Sequence, residues 1–175
     1  MIRTRRNACL VILAIFIAIH SNVIHAAEPR RHEEKAGGFS FIPPDGWTMR
    51  ELPGMKYKLA VGPIEGNFAA NINTVDENFE GSLKDYVKNN IETIRHLFKD
   101  FKLIKQDDFK TESGIPGTRV VIEDKQGDIN LRQTFFFLAK GSKKFVVTCS
   151  VKIEGGDKLD QAFEKCLMTW KFEKQ

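Results

Sequence analysis

Hydrophobic and polar residues alternate through most of the chain after residue 38, as in β-strands that bury one face. The first such run is short and is expected to begin the sheet: Phe39 and Phe41 lie on one side of it, and prolines 43 and 44 end it. Asp45 and Gly46 then form a turn pair before Trp47. We expect Trp47 to be a large buried ring beneath the sheet. Further alternating runs cover residues 57–62, 68–75, 102–111, 118–124, 130–139 and 144–151.

Two segments have apolar residues at helical spacing instead. The first begins at Ser82, a candidate N-cap with Asp85 three residues later, and the second begins at Asp157. The apolar positions of the first are Leu83, Tyr86, Val87, Ile91, Ile94, Leu97 and Phe98. Those of the second are Leu159, Phe163, Cys166, Leu167 and Trp170. Each pattern predicts an amphipathic helix that covers one face of a sheet.

The order of these elements predicts an α+β fold. Short glycine-containing turns separate the last four strands, which favours antiparallel pairing of sequential strands. The run TFFFLA (residues 134–139) is apolar on both sides, so its strand is expected at the centre, covered on both faces. We therefore predict a single central, mostly antiparallel sheet of six or seven strands with helices packed on its faces.

The N-terminus has a different composition. Arg3, Arg5 and Arg6 precede an uninterrupted apolar run of 12 residues, ACLVILAIFIAI. A bilayer span needs about 20 residues, so this run fits a signal peptide better than a membrane helix. We predict that residues 1–26 are a signal peptide cleaved after Ala26 and that the chain is periplasmic or secreted. The alternative is that the segment is retained as a membrane anchor.

Charge changes once this segment is removed. Lys+Arg falls from 27 to 24 with the loss of Arg3, Arg5 and Arg6, whereas Asp+Glu stays at 23. The exported chain is then close to +1, which gives no indication of nucleic-acid binding. Residues 27–38 are polar and contain Pro and Gly, and we predict a flexible lead-in there. Residues 39–173 are predicted to form one domain, which touches a membrane only through the transient signal peptide.

Catalytic and metal-binding motifs are missing from the predicted domain. Its lead-in and body contain only His32 and His96, and no H-x-x-x-H or C-x-x-C spacing occurs, so we predict no metal and no cofactor. Asp107, Asp108 and Asp124 resemble a carboxylate cluster, but neighbouring strand residues point to opposite faces. A hydrolase would have to use His96 or Ser142 without any recognisable motif around them.

Two sets of polar residues are candidates for binding. Asn71 and Asn73 project from the same face of one strand and could line a polar groove for a peptide or sugar, or could satisfy local backbone groups instead. Four lysines lie near predicted turns and could form a basic patch, although turn lysines are usually solvated. They are Lys125, Lys140, Lys143 and Lys144.

The domain resembles the PsbP-like superfamily over residues 39–172. The similar segments are the F-x-F-x-x-P-x-x-W opening, NIN (71–73), SLKDY (82–86), GIPGTR (114–119), RQTFFF (132–137), GSKKFVVTCSV (141–151) and MTWKF (168–172). Within this superfamily the chain looks closest to small bacterial periplasmic DcrB-like proteins. The resemblance implies a central antiparallel sheet between helices, a PsbP-like α/β/α sandwich. It also implies a binding or assembly role, since most members are thought to act in this way.

Function is therefore predicted only in outline. We expect an exported, non-enzymatic binding or assembly module that acts on an unidentified envelope protein or peptide, in an oligomeric state that the sequence does not indicate. The alternative is a carrier that holds a small apolar ligand between helix and sheet, suggested by the 14 phenylalanines.

Cys149 and Cys166 are the two cysteines that remain after removal of the signal peptide. Cys149 is in the last long strand and Cys166 is on the apolar side of the last helix, so the two could meet where helix and sheet pack together. An even number of cysteines in an oxidising compartment favours a bridge. We predict a structural disulfide between them, the alternative being two separate buried thiols.

Overall fold

The computed structural model describes residues 30–174, which form ten strands, two α-helices and one 3₁₀ turn. The predicted signal peptide and its cleavage site lie outside the described residues. The strands are β1 His32–Glu34, β2 Phe39–Phe41, β3 Thr48–Arg50, β4 Leu59–Glu65, β5 Phe68–Asn78, β6 Lys99–Lys110, β7 Pro116–Gln126, β8 Ile129–Lys140, β9 Lys143–Lys152 and β10 Lys171–Phe172. The helices are α1 Leu83–Leu97 and α2 Gly156–Met168, and the 3₁₀ turn is Ile153–Gly155.

Seven strands form the central sheet in the order β3-β4-β5-β9-β8-β7-β6, and every neighbouring pair is antiparallel. Strands β6 to β9 follow one another as a meander, as their short links predict. Gly127 and Gly141 have positive φ angles of 60° and 62° in the turns of this meander, which glycine adopts at little cost. The α+β class and the seven-stranded antiparallel sheet are confirmed.

The strand Phe39–Phe41 was predicted to begin the central sheet, and this is wrong. It is the middle strand of a separate three-stranded sheet, in the order β1-β2-β10. Part of the predicted flexible lead-in is also ordered, because β1 supplies backbone hydrogen bonds to one edge of β2. Arg31 adds to this attachment: its Nη1 atom donates to Ser40 Oγ at 3.0 Å and to the carbonyl of Thr169 at 2.9 Å.

Helix α1 covers one face of the central sheet, which we call the α1 face. Its N-cap is Ser82, as predicted: the hydroxyl accepts a hydrogen bond from the backbone N–H of Asp85 at 3.1 Å. Tyr86, Val87 and Ile94 are its buried residues. They pack against a group of apolar strand residues, Val120, Ile122, Phe135, Phe137 and Val146.

Helix α2 covers the opposite face, which we call the α2 face. Phe163, Cys166 and Leu167 pack there against residues of β5, β8 and β9. The helix begins one residue before the predicted N-cap Asp157, after Gly155, and has no side-chain cap. Two arginines of the sheet hold it in place: Arg119 contacts Glu164 at 2.9 Å, and Arg132 contacts Asp160 at 2.8 Å.

The small sheet is joined to the α2 face by an aromatic cluster around Trp170. This ring is fully buried and stacks on Phe39 at a centroid distance of 4.2 Å and on Phe41 at 5.8 Å. Phe145 of β9 contacts the same ring edge-on at 6.1 Å. Trp47, predicted to be buried, is only half-buried, and its ring meets Phe163 of α2 edge-on at 5.9 Å.

Candidate functional site

Asn71 and Asn73 lie on the same face of β5, as predicted, but they do not form an exposed binding surface. Their exposed fractions are 1% and 5%. Ile72 between them packs on the α2 side, so both asparagines point to the α1 face. The proposed groove role is therefore corrected: tertiary packing covers both side chains. The Nδ2 group of Asn71 donates to the carbonyl of Ala69 at 3.1 Å.

The two asparagines belong to a row of polar residues on the α1 face, all of them buried except Gln126, which is half-buried. Strand register places Asn71 opposite Ser150, and Ser150 opposite Gln133. Directly paired residues share a face of an antiparallel sheet, so these side chains are neighbours across three strands. We call the following set the polar row: Asn71, Asn73, Asp124, Gln126, Gln133, Thr148 and Ser150.

Hydrogen bonds connect one part of the polar row into a chain. Gln126 Nε2 donates to Gln133 Oε1 at 3.1 Å, and Gln133 Nε2 donates to Ser150 Oγ at 2.8 Å. The amide of the fully buried Gln133 is thereby oriented by its neighbours. The hydroxyl of Thr148, by contrast, has no hydrogen-bond partner among the described residues. Buried polar groups nearly always have hydrogen-bond partners, so an unpaired hydroxyl here is unusual. The row therefore contains groups with hydrogen-bond partners beside a group without one.

Asp124 is the charged member of the polar row. Its exposed fraction is 3%, and neither carboxylate oxygen has a partner that meets hydrogen-bond geometry within residues 30–174. Burial raises the pKa of Asp124 to about 6, and the neighbouring side chain of Gln126 acts in the other direction. Asp107, considered with Asp124 as a possible carboxylate pair, lies on the α2 face and is bound by Arg119, which lowers its pKa to about 2. The two acids therefore do not form a pair.

Strand β6 is the second candidate region, because it lies at one edge of the central sheet. It is 12 residues long and pairs only with β7 in the described part of the sheet. Most of its side chains are exposed, including Leu103 at 39% and Ile104 at 38%. Asp100, near its start, has a φ of 55°, an uncommon conformation for a residue other than glycine. Long open edges of this kind can accept a further strand.

The turn lysines do not form the free basic patch considered from the sequence. Lys144 is buried, and its Nζ group donates to the carbonyls of Phe79, Gly141 and Ser142 at 2.8–3.3 Å. Lys143 contacts Asp76 at 3.3 Å. Lys140 Nζ donates to the carbonyl of Glu173 at 3.1 Å. Three of the four ammonium groups therefore stabilise the turn and the strand ends around it.

The predicted disulfide is not formed in the structure: Cys149 and Cys166 are free thiols. The expected meeting of helix and strand is nevertheless present, since both side chains are buried in the same apolar cluster of the α2 face. Burial raises the pKa of both thiols. They fill the core as small apolar groups, the alternative considered above.

Native protein should therefore resist thiol reagents, because only the thiolate reacts and burial opposes its formation. We expect no labelling of Cys149 or Cys166 by maleimide before unfolding. After unfolding without reductant, the chain lacking residues 1–26 should be labelled at both cysteines. Intact-mass measurement counts the maleimide groups that are added. Labels that appear only after reductant is added would show that the bridge forms in solution.

Chemistry elsewhere in the described residues is limited. No group of three or more His, Cys, Asp or Glu side chains in this part of the chain could hold a metal ion. His32 lies in β1 against Phe41, at a ring distance of 5.6 Å, and His96 is exposed in the last turn of α1. None of the helices within residues 30–174 is long and apolar enough to cross a bilayer.

Sequence reasoning missed most of the polar row. A glutamine within an otherwise apolar central strand, Gln133 in RQTFFF, was the available signal. Ser150 and Thr148 alternate with Cys149 and Val147 in the same way, which places two hydroxyls on the face opposite the apolar residues. Such alternation usually marks a solvated face, and only the packing of the fold shows that this face is buried.

Comparison with solved structures identifies the fold. No family model and no curated protein sequence matches this chain. The cyanobacterial PsbP protein CyanoP from Synechocystis is similar over 89% of this chain and 98% of its own, with a TM-score of 0.61 and 13% identity. LpqN from Mycobacterium tuberculosis covers 78% of this chain and 83% of its own, with a TM-score of 0.62 and 10% identity.

A third similar structure is the Ran-binding protein Mog1p from Saccharomyces cerevisiae. It covers 82% of this chain and 94% of its own, with a TM-score of 0.58 and 11% identity. At these identities the comparisons establish a PsbP-like α+β fold and nothing about activity.

Proposed function

We propose that this chain is an exported, non-enzymatic binding or assembly module that docks on an envelope protein or peptide. The observation that carries the proposal is the exposed edge strand β6. Its outer edge offers backbone N–H and C=O groups to an extended segment of a partner, a recurring mode of peptide recognition. The exposed side chains of Leu103 and Ile104 would add apolar contacts to this backbone pairing.

The details of β6 favour selective pairing over general aggregation. The pairing of β6 with β7 is irregular between Lys99 and Lys102 and again between Leu103 and Lys105. From Lys105 to Lys110 the register is continuous. Lysines and bulges are the usual protection of an edge strand against unwanted partners. A partner strand would therefore pair with the regular half, while Leu103 and Ile104 of the irregular half offer side-chain contacts beside it.

The predicted compartment and one structural neighbour support this role. LpqN is described as involved in cell envelope biogenesis, and this chain shares its fold. The finer resemblance to periplasmic DcrB-like proteins, and the location in the periplasm or outside the cell, are part of the same proposal. They rest on the N-terminal sequence and on the motifs quoted above.

The alternative role as carrier of an apolar ligand has less support. It was suggested by the abundance of phenylalanine, and these rings contact one another. Phe109 meets Phe136 at a centroid distance of 4.8 Å, and Phe135 meets Phe137 at 6.3 Å. The rings therefore already have aromatic partners within the core.

The test is retention of envelope proteins on immobilised chain lacking residues 1–26. A variant carrying Leu103→Lys and Ile104→Lys places two charges on β6 and blocks strand addition. We expect it to retain at least about tenfold less of the partner than the wild type, since few residues dominate an interface. Quantitative mass spectrometry of the eluates gives the ratio.

The matched control carries Ile64→Lys and Ile153→Lys. These residues are also exposed and apolar, at 52% and 36%, but lie outside β6. Circular dichroism verifies that both double variants are folded. The proposal is rejected if no protein is retained, or if the β6 variant and the control variant retain the same protein equally.

A further inference from the structure

Asp124 is a negatively charged member of the polar row that has no positively charged partner among the described residues. Asp124 lies on the α1 face of β7, two residues from Ile122 and two from Gln126. Strand register places Leu131 opposite it and Gln133 diagonally across from it. Both of its oxygens are shielded from solvent, and within residues 30–174 neither has a hydrogen bond of good geometry, although the neighbouring Gln126 side chain lowers the pKa of Asp124. Gln126, Gln133 and Ser150 hydrogen-bond to one another.

The electrostatics of this region favour a cation. Ile94, in the last turn of α1, belongs to the same apolar cluster as Ile122. The C-terminal end of α1 therefore lies on this part of the sheet, and the C-terminal end of a helix carries partial negative charge. The basic groups of this last turn are Arg95 and His96, and Arg95 is placed over the ring of Phe101 at 5.0 Å. The carboxylate and the helix end both attract positive charge.

From this arrangement we propose that Asp124, with Gln126, Gln133 and Ser150, is a binding site for a small molecule that carries a protonated primary amine next to a hydroxyl group. The ammonium group donates to the two oxygens of Asp124, and the hydroxyl group exchanges hydrogen bonds with the amides of Gln126 and Gln133. Charge-assisted hydrogen bonds of this kind are stronger than neutral ones. Leu131 provides an apolar wall beside the carboxylate.

Access to the site requires movement of the cover on the α1 face. Helix α1 is attached to the sheet by three buried side chains, Tyr86, Val87 and Ile94. Its other apolar residues are partly buried, apart from Leu97, which is exposed. A ligand that pairs with Asp124 therefore binds as the last turns of α1 lift, and the helix closes over the complex. This site lies on the α1 face of β7 and β8, whereas the proposed docking edge is the outer side of β6.

The experiment is an NMR titration of the folded chain lacking residues 1–26 with ethanolamine and with glucosamine, up to about 10 mM because small ligands bind weakly. Each has a matched neutral probe, N-acetylethanolamine and N-acetylglucosamine. We expect at least one amine to give saturable shifts of the backbone amides of Asp124, Gln126 and Gln133. The neutral probes should give none, and the amine that binds distinguishes an amino-alcohol from an amino-sugar ligand.

The decisive variant is Asp124→Asn, which keeps the side-chain volume and removes the charge. We expect its affinity for the amine to fall by at least about tenfold, the effect of losing one charge-assisted contact. Asp108→Asn, on the exposed surface of β6, is the control and should bind as the wild type does. The proposal is overturned if neither amine binds, if the acetylated probes bind equally well, or if Asp124→Asn retains wild-type affinity.

Discussion

Replacing Trp170 by alanine is expected to lower the free energy of unfolding by about 3–5 kcal/mol, the usual cost of emptying a large aromatic site in a core. The indole is fully buried between Phe39 and Phe41 of the small sheet and Phe145 of the central sheet. Its removal opens a cavity in the aromatic stack that joins β2 to the end of α2. No other stacked pair of rings among the described residues makes this connection. Since domains of this size are stable by about 5–15 kcal/mol, the loss is a large share of the total.

The matched variant Trp170→Phe separates packing from polarity. The indole N–H of Trp170 is buried and has no acceptor among residues 30–174, so its removal relieves a desolvation cost. Phenylalanine keeps most of the stacking on Phe39, and we expect it to cost less than about 2 kcal/mol. Urea unfolding followed by far-ultraviolet circular dichroism measures both variants without relying on tryptophan fluorescence. A loss below about 1 kcal/mol for Trp170→Ala would contradict the role given to this ring.

Asp124→Asn is expected to stabilise the protein at neutral pH, which is unusual for a substitution in a core. The pKa of Asp124 in the folded chain is about 6, above the ordinary value of 3.8. The folded state therefore holds its proton more tightly than the unfolded state. Stability from this group is complete below the ordinary pKa and is lost as the pH rises through about 6, because the buried carboxylate must then ionise without a partner.

The expected gain follows from the size of this pKa difference. Each unit corresponds to about 1.4 kcal/mol, so Asp124→Asn should exceed the wild type by on the order of 2–3 kcal/mol above pH 7. Asparagine resembles the neutral acid, so the two proteins should differ little near pH 4. Urea unfolding of both proteins at several pH values checks the prediction, with Asp108→Asn as the exposed control. An equal or lower stability of Asp124→Asn at about pH 8 would show that the carboxylate has a stabilising partner in solution.

These two substitutions test different layers of the molecule. Trp170 belongs to the α2 face, where aromatic rings hold the small sheet against the central one. Asp124 belongs to the α1 face, where polar residues interrupt the apolar layer under α1. A buried carboxylate without a partner among the described residues lowers the stability of the fold, so packing alone does not explain its presence. Residues with strongly shifted pKa values are more frequent at functional sites than elsewhere.

The sequence by itself determined the elements and their local ends. Alternation of apolar and polar residues predicts each of the six long strands of the central sheet to within a few residues, since a strand side chain can only point to one face or the other. Ser82 marks the start of α1 because its hydroxyl satisfies a backbone N–H that the helix leaves open. Short glycine turns determine the meander from β6 to β9, because two adjacent strands joined in this way can only run antiparallel.

Only the tertiary structure decided which polar residues are buried. Asn71 and Asn73 follow the alternation of a half-exposed strand, but both are buried, and their neighbours Ser150 and Thr148 come from β9, about 75 residues later in the chain. Lys144 is also buried only through long-range packing, because its ammonium group donates to the carbonyl of Phe79 just after β5. Phe39 and Phe41 form a separate sheet because residues 171–172 return to pair with β2. A local pattern specifies the face to which a side chain points, whereas long-range packing determines what covers that face.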